Sequence, residues 1–296
     1  MKKDSNDSAR NYFSSQAAAW RSDATAERIL SVIAQRNAVV LDAAKVMRRP
    51  IYALDVGCGT GELVLELAMA GANAVGLDFA DEMIRLSESK KAELGLKSAS
   101  FILGSITDYT APAAAFDIIS AQGLVEYIEP EQTERFMANS RDWLKPEGRL
   151  VISVRNRLFN IVSLNDFTAM ERHLGTVDSL IREALALVGA SDMATAIAAA
   201  EDSAFADPPP ANHPITGVPL SPRYQYTPGQ MIVFCRKHGL NPLELHNIHY
   251  HAFNPSFARA HHDLHAATAA LIDAQARMDT RLLPSCSSFS IVAARM

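Results

Sequence analysis

The stretch IYALDVGCGTG, residues 51–61, decides the fold of this chain. Its first part is short and mostly apolar, which is typical of a buried strand in a parallel sheet. Gly57, Gly59 and Gly61 then supply a backbone that can turn sharply and that a ligand can approach without meeting a Cβ atom. Residues 62–70 (ELVLELAMA) follow with apolar side chains on one helical face. Strand, turn and helix in this order predict a nucleotide-binding βαβ unit.

The glycine spacing indicates which nucleoside is bound. Dinucleotide-binding folds use G-x-G-x-x-G and aim a helix N-terminus at a pyrophosphate. This chain has G-x-G-x-G, with Asp55 two residues before the first glycine. The segment resembles the first motif, E/D-x-G-x-G-x-G, of the class I S-adenosylmethionine (SAM) dependent methyltransferases. The resemblance implies a small-molecule methyltransferase with a Rossmann-like fold, S-adenosyl-L-methionine as cofactor and S-adenosyl-L-homocysteine as product.

Composition limits the partners. The chain has 296 residues, 48% of them apolar, which is enough for a full core without disulfides. A net charge of -5 and the lack of a Lys/Arg block argue against nucleic acid as a partner. Three cysteines without a C-x-x-C pair predict reduced thiols. With no export segment and no apolar run near the roughly 18 residues of a membrane span, we expect a cytoplasmic protein with no membrane contact, either monomer or homodimer.

Strands and helices alternate from residue 50 to residue 154, which predicts a parallel sheet. The expected fold class is α/β: a doubly wound, mostly parallel seven-stranded sheet with a largely helical cap insertion. The resemblance implies the strand order 3-2-1-4-5-7-6, with the last strand antiparallel. The predicted divisions are a helical lid at residues 1–45, a SAM-binding core at residues 46–155 and 224–296, and a substrate-cap insertion at residues 156–223.

Each part of SAM requires a different kind of residue. Asp78 ends the second predicted strand about twenty residues after the glycine turn, where an acid can accept both ribose hydroxyls. Phe79 and Met83 are predicted to flank the adenine ring, although an ordinary core role for Met83 is equally open. Ser105 stands where the family has an acid that binds the adenine amine. The predicted cofactor-binding set is Asp55, Gly57, Cys58, Gly59, Gly61, Asp78, Phe79, Met83, Ser105, Ile106, Ala121 and Gln122.

Methyl transfer is an in-line displacement, so a base is needed only if the acceptor must lose a proton. His249 and His251 stand two apart near the end of a predicted strand, which makes either a candidate base. Tyr127, in the position of a family histidine, is the third catalytic candidate. A polar strand end packed under a second helical insertion, at residues 257–278, or a solvated edge would also explain the two histidines. A metal site is also suggested by a group of histidines with Asp263 nearby: His246, His249, His251, His261, His262 and His265. No acidic pair on the loops after the fourth and fifth predicted strands resembles a metal-binding set, so no required metal is predicted.

Donor-rich segments flank the predicted insertion, where an acceptor pocket should open. Fixed Arg, Asn and Tyr donors suit a polar or anionic acceptor, although a hydrogen-bonded hinge would use the same residues. The substrate candidates are Tyr12, Arg155, Asn156, Arg223, Tyr224 and Tyr226. The predicted function is methyl transfer to an oxygen of a small polar metabolite, an EC 2.1.1 reaction. An N-methyltransferase of a small amine or amino sugar, and a SAM-binding protein without transferase activity, remain open. A nicotinamide dehydrogenase would need the longer glycine spacing.

Overall fold

The computed structural model describes residues 31–48, 50–205 and 224–296, except for the side chains of residues 273–275. Tyr12, Arg223 and most of the predicted lid lie outside these residues. The chain divides into two compact units. The first takes the described residues up to Gln122 together with Ala138–Val151 and Arg295, and the second takes Gly123–Met137, Ile152–Ala294 and Met296.

The first unit contains the central strands of the sheet. Its elements are α1 (Val32–Lys45), β1 (Tyr52–Val56), α2 (Glu62–Met69), β2 (Asn73–Asp78), α3 (Asp81–Leu94), β3 (Ala99–Leu103) and β4 (Phe116–Gln122). Both α4 (Pro130–Trp143) and β5 (Leu144–Asn156) have residues in each unit. β1 pairs in parallel with β2 and with β4, so Asp55 lies between Gly76 and Ser120. The acid of the sequence motif therefore stands at the carboxyl end of the sheet's centre.

Local sequence rules explain most of these boundaries. α2 begins directly after Gly61, which has a left-handed backbone, and Glu62 in its first turn suits the positive end of the helix dipole. α3 ends at Gly95, also left-handed, as helices commonly do. α3 begins at Asp81, next to its N-cap Ala80. Ala80 has no side-chain capping bond, and Asp78 accepts the N–H of Ala80.

The second unit contains most of the predicted insertions. Its elements after β5 are a 3₁₀ turn (Arg157–Phe159), α5 (Asn160–Ser163), α6 (Asp166–Leu174), α7 (Val177–Gly189), α8 (Met193–Ser203), β6 (Gln225–Tyr226), α9 (Pro228–Lys237), β7 (Leu240–Tyr250), α10 (Pro255–Ala260), α11 (His262–Ala276), a second 3₁₀ turn (Thr280–Ser285) and β8 (Cys286–Arg295). The start of α9 follows the sequence prediction: Thr227 caps the helix in a capping box with Gln230, and Pro228 is its first residue.

The strand order of the sheet is β3-β2-β1-β4-β5-β8-β7, which confirms the expected order, and β6 pairs in parallel with the end of β5. The orientation of β8 is also as expected. His251 at the end of β7 donates its N–H to Ser285 just before β8, and Met296 after β8 donates to Gly239 just before β7. The two strands are therefore antiparallel. The two-residue strand β6 was not predicted. Residues 146–148 resemble the family's L-K-P-G-G connection, which predicts a turn, but they lie near the start of β5, with Glu147 at a left-handed φ of 62°.

Candidate functional site

The glycine turn combines one open position with one closed position. The φ angles of Gly57, Gly59 and Gly61 are all positive, between 52° and 82°. Within the described residues, a Cβ atom on Gly59 would meet no protein atom closer than 4 Å other than its chain neighbours, whereas one on Gly61 would lie 2.7 Å from the ring of Phe101 and 2.8 Å from the hydroxyl of Ser87. Gly61 is thus required by packing inside the protein. Gly59 faces open space, and its missing side chain leaves room for a ligand.

Asp78 joins the glycine turn to the next helix. Its Oδ2 atom accepts the N–H of Gly59 at 2.9 Å, and its Oδ1 atom accepts the N–H of Ala80 at 2.9 Å. Burial raises the pKa of this carboxyl group, while the backbone hydrogen bonds lower it. A backbone hydrogen bond from Phe79 is the third that it accepts. A carboxylate has about four acceptor positions, so one remains for a hydroxyl group. The side chain can hold the turn and accept a ribose at the same time.

Asp55 is buried and has an incomplete hydrogen-bond set. Burial is the largest cause that raises its pKa, from 3.8 to about 7; a hydrogen bond with Ser120 lowers it, and the nearby carboxylates of Asp78 and Glu62 raise it further. Within the described part of the chain, its Oδ1 atom has no hydrogen-bond partner. Buried polar atoms in native proteins are nearly always paired. The ammonium group of the methionine part of SAM is a donor that would complete this atom and offset the local negative charge.

Three further residues of the predicted cofactor-binding set, Phe79, Met83 and Cys58, differ in their burial and packing. Phe79 is half-buried beside Asp78, and its contact with the adenine ring remains a prediction. Met83 is 3% exposed and packs with Ala80 in a small apolar cluster, which favours the core role left open for it. Cys58 is buried, and burial together with neighbouring carboxylates raises the pKa of its thiol well above the ordinary value. It is therefore a neutral packing residue.

The candidate cofactor-binding residues after β3 and at the end of β4 are hydrogen-bonded to other protein groups or partly or fully buried. The hydroxyl of Ser105 lies 2.8 Å from that of Thr107. Ala121 is fully buried, so that only its backbone could contact a ligand. The amide nitrogen of Gln122 donates to Ser120 at 3.3 Å and to the carbonyl oxygen of Val151 at 3.0 Å. Ile106 is half-buried. Direct cofactor contacts by these four candidates remain predictions.

Asn156, a substrate candidate, is fully used by the protein. Its Nδ2 atom donates to the carbonyl oxygens of Leu283 at 2.8 Å and Cys286 at 2.9 Å, and its Oδ1 atom accepts the N–H of Leu158 at 3.0 Å. It is 1% exposed. These contacts favour the hinge alternative, because the side chain has little capacity left for an acceptor.

Three other substrate candidates also contact protein groups. Arg155 forms an ion pair with the buried Glu126 at 2.9 Å. The N–H of Tyr224 donates to the carbonyl oxygen of Glu126 at 2.7 Å, and its hydroxyl donates to Glu129 at 2.6 Å. Tyr226 is 1% exposed. The guanidinium group of Arg155, with 37% of its side chain exposed, is the most accessible of these groups. Tyr127, the catalytic candidate from the same segment, is half-buried.

The two candidate bases lie together at the end of β7. The rings of His249 and His251 are 4.4 Å apart, and the Nδ1 atom of His249 lies 2.7 Å from the hydroxyl of Ser287. His249 has a left-handed φ of 57°, so a local kink, not regular strand alternation, sets this arrangement. Burial, followed by the neighbouring imidazoles of His249 and His265, lowers the pKa of His251 to about 3. His251 is thus a weak proton acceptor, and His249 is the stronger candidate base.

Several site residues were missed by sequence reasoning. Ser87 donates to the carbonyl oxygen of Gly59 at 3.1 Å, and Phe101 packs beneath the glycine turn. Ser120 and Ser287 hold Asp55 and His249. The parallel pairing of β1 with β4 could have indicated Ser120, which lies in register with Asp55. The other serines and Phe101 carry no sequence signal of their own.

Two features, a membrane-spanning helix and a metal-binding cluster, are absent from the described residues. None of the described helices has the length and apolarity needed to cross a membrane. Among the same residues, no group of three or more His, Cys, Asp or Glu side chains is arranged to hold a metal ion.

Comparisons with known proteins agree with the site. Residues 53–148 match the family described as a methyltransferase domain. Nocamycin O-methyltransferase from Saccharothrix syringae is 31% identical over 131 residues, which cover 43% of this chain and 45% of that protein. A ubiquinone biosynthesis O-methyltransferase from Coxiella burnetii is 34% identical over 108 residues, covering 36% of this chain and 45% of the relative. The aligned part thus spans less than half of either relative.

A solved structure extends the likeness in fold to nearly the whole chain. It is the 1,6-didemethyltoxoflavin-N1-methyltransferase of Burkholderia thailandensis with bound 1,6-didemethyltoxoflavin and S-adenosylhomocysteine. The match has a TM-score of 0.56 and 14% sequence identity, and it covers 97% of this chain and 87% of that one. The family match runs over the same strands that carry the glycine turn and both of its acids, so residues 53–148 form a domain similar to those of the SAM-dependent methyltransferases, with SAM as the cofactor.

Proposed function

We propose that this protein transfers the methyl group of SAM to an oxygen atom of a small polar metabolite. The observation that carries the proposal is the pairing of His249 with Ser287 at 2.7 Å, which fixes the orientation of an imidazole at the end of β7. Hydroxyl acceptors must lose a proton, and histidine suits that task near neutral pH. When bound, SAM supplies a methyl group already activated by its sulfonium. The role proposed for this chain's own residue is that His249 would take the proton that a hydroxyl acceptor loses when its oxygen gains the methyl group.

The residues of the glycine turn are proposed to hold the cofactor. Asp78 would accept a ribose hydroxyl, Asp55 the methionine ammonium, and Gly59 would leave room for the ligand backbone. The O-methyltransferase names of both sequence relatives support oxygen as the acceptor atom. The N1-methyltransferase name of the structural relative supports nitrogen as the second possibility. A nitrogen acceptor that is already unprotonated needs no base, so the two possibilities differ in their dependence on His249.

The test separates cofactor binding from catalysis. Calorimetric titration with SAM, S-adenosylhomocysteine and NAD should show binding of the first two only; binding of NAD alone would refute the proposed cofactor. Release of S-adenosylhomocysteine is then followed with panels of hydroxyl and amine acceptors. His249→Asn is the preferred variant because asparagine tolerates the left-handed backbone at this position. We expect its rate with a hydroxyl acceptor to fall by about two orders of magnitude.

Amine acceptors methylated at full rate by His249→Asn would replace the oxygen proposal with the nitrogen one. Binding of SAM without turnover on either panel would support a SAM-binding protein without transferase activity. Ser287→Ala serves as the matched variant, since it leaves the imidazole in place and removes only its partner. We expect a smaller fall in rate for this variant than for His249→Asn.

A further inference from the structure

Three imidazole nitrogen atoms of His251 and His265, in the second unit, are buried and have no hydrogen-bond partner among the described residues. Across the described residues, both ring nitrogens of His251 and the Nδ1 atom of His265 are buried without a partner. His265 is 7% exposed, and its ring lies 5.3 Å from that of His251. A buried polar atom left unpaired is destabilising, so such atoms require a specific explanation. The SAM site described above uses neither residue.

The surroundings of these nitrogens are aromatic. The ring of Phe159 lies 4.6 Å from that of His251, and the ring of Phe253 lies 6.5 Å from that of His265. Phe253 continues to Phe257 at 4.7 Å, and Phe257 is 38% exposed. The aromatic side chains therefore form a continuous wall from the buried imidazoles to the surface. Flat rings stack favourably on such a wall.

The charge state of the pair restricts what it can bind. Burial is the main cause that lowers the pKa values of both histidines, so both rings are neutral at pH 7. Within the described residues neither forms an ion pair with a carboxylate; the histidines that do are His246 and His262. A neutral imidazole presents one N–H donor and one acceptor nitrogen. A hydroxyl group also donates and accepts, whereas a carboxylate only accepts and an ammonium group only donates.

We propose that His251 and His265, with the Phe159 and Phe253 rings, form a subsite for an uncharged aromatic ring that carries a hydroxyl group. The hydroxyl would pair with one ring nitrogen of His251 and with the Nδ1 atom of His265, and the ring would lie on the aromatic wall. This inference rests on the proposed methyltransferase function and narrows its acceptor to a neutral phenol-type compound. Among the described residues, neither histidine has a carboxylate partner that could bind an amine.

The test uses 2-naphthol as the probe, titrated by fluorescence into the full chain saturated with S-adenosylhomocysteine. Two probes of the same ring system, 2-naphthoate and 2-naphthylmethylammonium, supply the negative and positive charges. We expect 2-naphthol to bind at least about tenfold more tightly than either. The variants His251→Phe and His265→Phe keep an aromatic ring but remove the nitrogens, and each should weaken 2-naphthol binding about tenfold, the loss of one neutral buried hydrogen bond. His173→Phe, on an exposed position of α6, is the control.

Each outcome decides the proposal. Tighter binding of a charged probe, no binding of 2-naphthol, or unchanged affinity in both phenylalanine variants would overturn it. Thermal unfolding distinguishes a ligand-binding histidine from a structural one: removing an unpaired buried nitrogen should leave the midpoint equal or higher, whereas loss of a structural contact would lower it. Titration of S-adenosylhomocysteine into the same samples tests the methyltransferase function separately, so failure of the subsite and failure of the function give different results.

Discussion

Replacing Asp55 with asparagine should change how the stability of the cofactor-free protein depends on pH. Burial raises the pKa of this carboxyl group from 3.8 to about 7 in the folded chain. Each pKa unit corresponds to about 1.4 kcal/mol. Ionising Asp55 in the folded protein therefore removes at most about 4 kcal/mol from the free energy of unfolding. Asp55→Asn keeps the shape of the side chain and removes the titration.

The sign follows from proton binding. Between pH 4 and pH 7 the folded chain retains a proton on Asp55 that the unfolded chain has lost, so the contribution of this residue to stability is full at low pH and is lost as the pH rises. Glu183, whose pKa burial also raises to about 7, has the same sign. His251 has the opposite sign, because its pKa in the folded chain is lowered to about 3. The difference between variant and wild type isolates Asp55 from these other groups.

The assay is urea unfolding of both proteins at several pH values from 4.5 to 7.5. We expect the unfolding free energy of Asp55→Asn, relative to wild type, to rise with pH by at most about 4 kcal/mol. Saturating S-adenosylhomocysteine should reduce this rise, because its ammonium group would compensate the carboxylate. Asp202→Asn, at an exposed position of α8, gives the baseline. A stability difference that is the same at every pH would refute the reasoning.

Three further predictions concern the turn and the hinge. Gly59→Ala should cost only about 1–2 kcal/mol of unfolding free energy, because of its left-handed backbone, but should lower S-adenosylhomocysteine affinity at least about tenfold. Gly61→Ala should instead lower the unfolding free energy by about 3 kcal/mol, because its Cβ atom would clash with Phe101. Calorimetry and urea unfolding on both variants check the contrast; equal affinities would contradict it. Asp78→Ala should lower the same affinity on the order of 100-fold, since hydrogen bonds to a charged group contribute about 1.5–3 kcal/mol each. Unchanged calorimetric affinity would exclude its ribose role. Asn156→Ala should lower the free energy of unfolding in urea by about 3 kcal/mol, about 1 kcal/mol for each lost hydrogen bond, without changing cofactor affinity. A variant of unchanged stability with impaired substrate binding would instead support a role for Asn156 in binding the methyl acceptor.

The cofactor side of the protein was more predictable from sequence than the acceptor side. The glycine turn, Asp55 and Asp78 lie within 24 residues of one another, and local rules of turn and strand geometry fix their arrangement. The strand order came from family resemblance. β6 was missed because two residues carry no periodic signal, and Glu147 was assigned to a turn although it lies within β5.

The acceptor side depends on contacts between residues far apart in the chain. From the sequence, the amide group of Asn156 is a candidate donor to the methyl acceptor. In the fold it donates to the carbonyl oxygens of Leu283 and Cys286, which are more than 120 residues away in the chain. His265 was considered in the sequence only as one of several histidines of a possible metal site, because its relation to His251 depends on how α11 packs against β7. No spacing rule predicts such meetings, since tertiary packing creates them.

The packing of Phe101 under the glycine turn has a consequence for how this protein can change over generations. One ring limits the size of two residues at once, because a Cβ atom on Gly61 or on Gly76 would lie 2.7 Å from it. A larger residue at either position therefore becomes acceptable only after position 101 has become smaller. The order of substitutions is constrained, and the three positions should covary among descendants of this chain although 40 residues separate the first from the last.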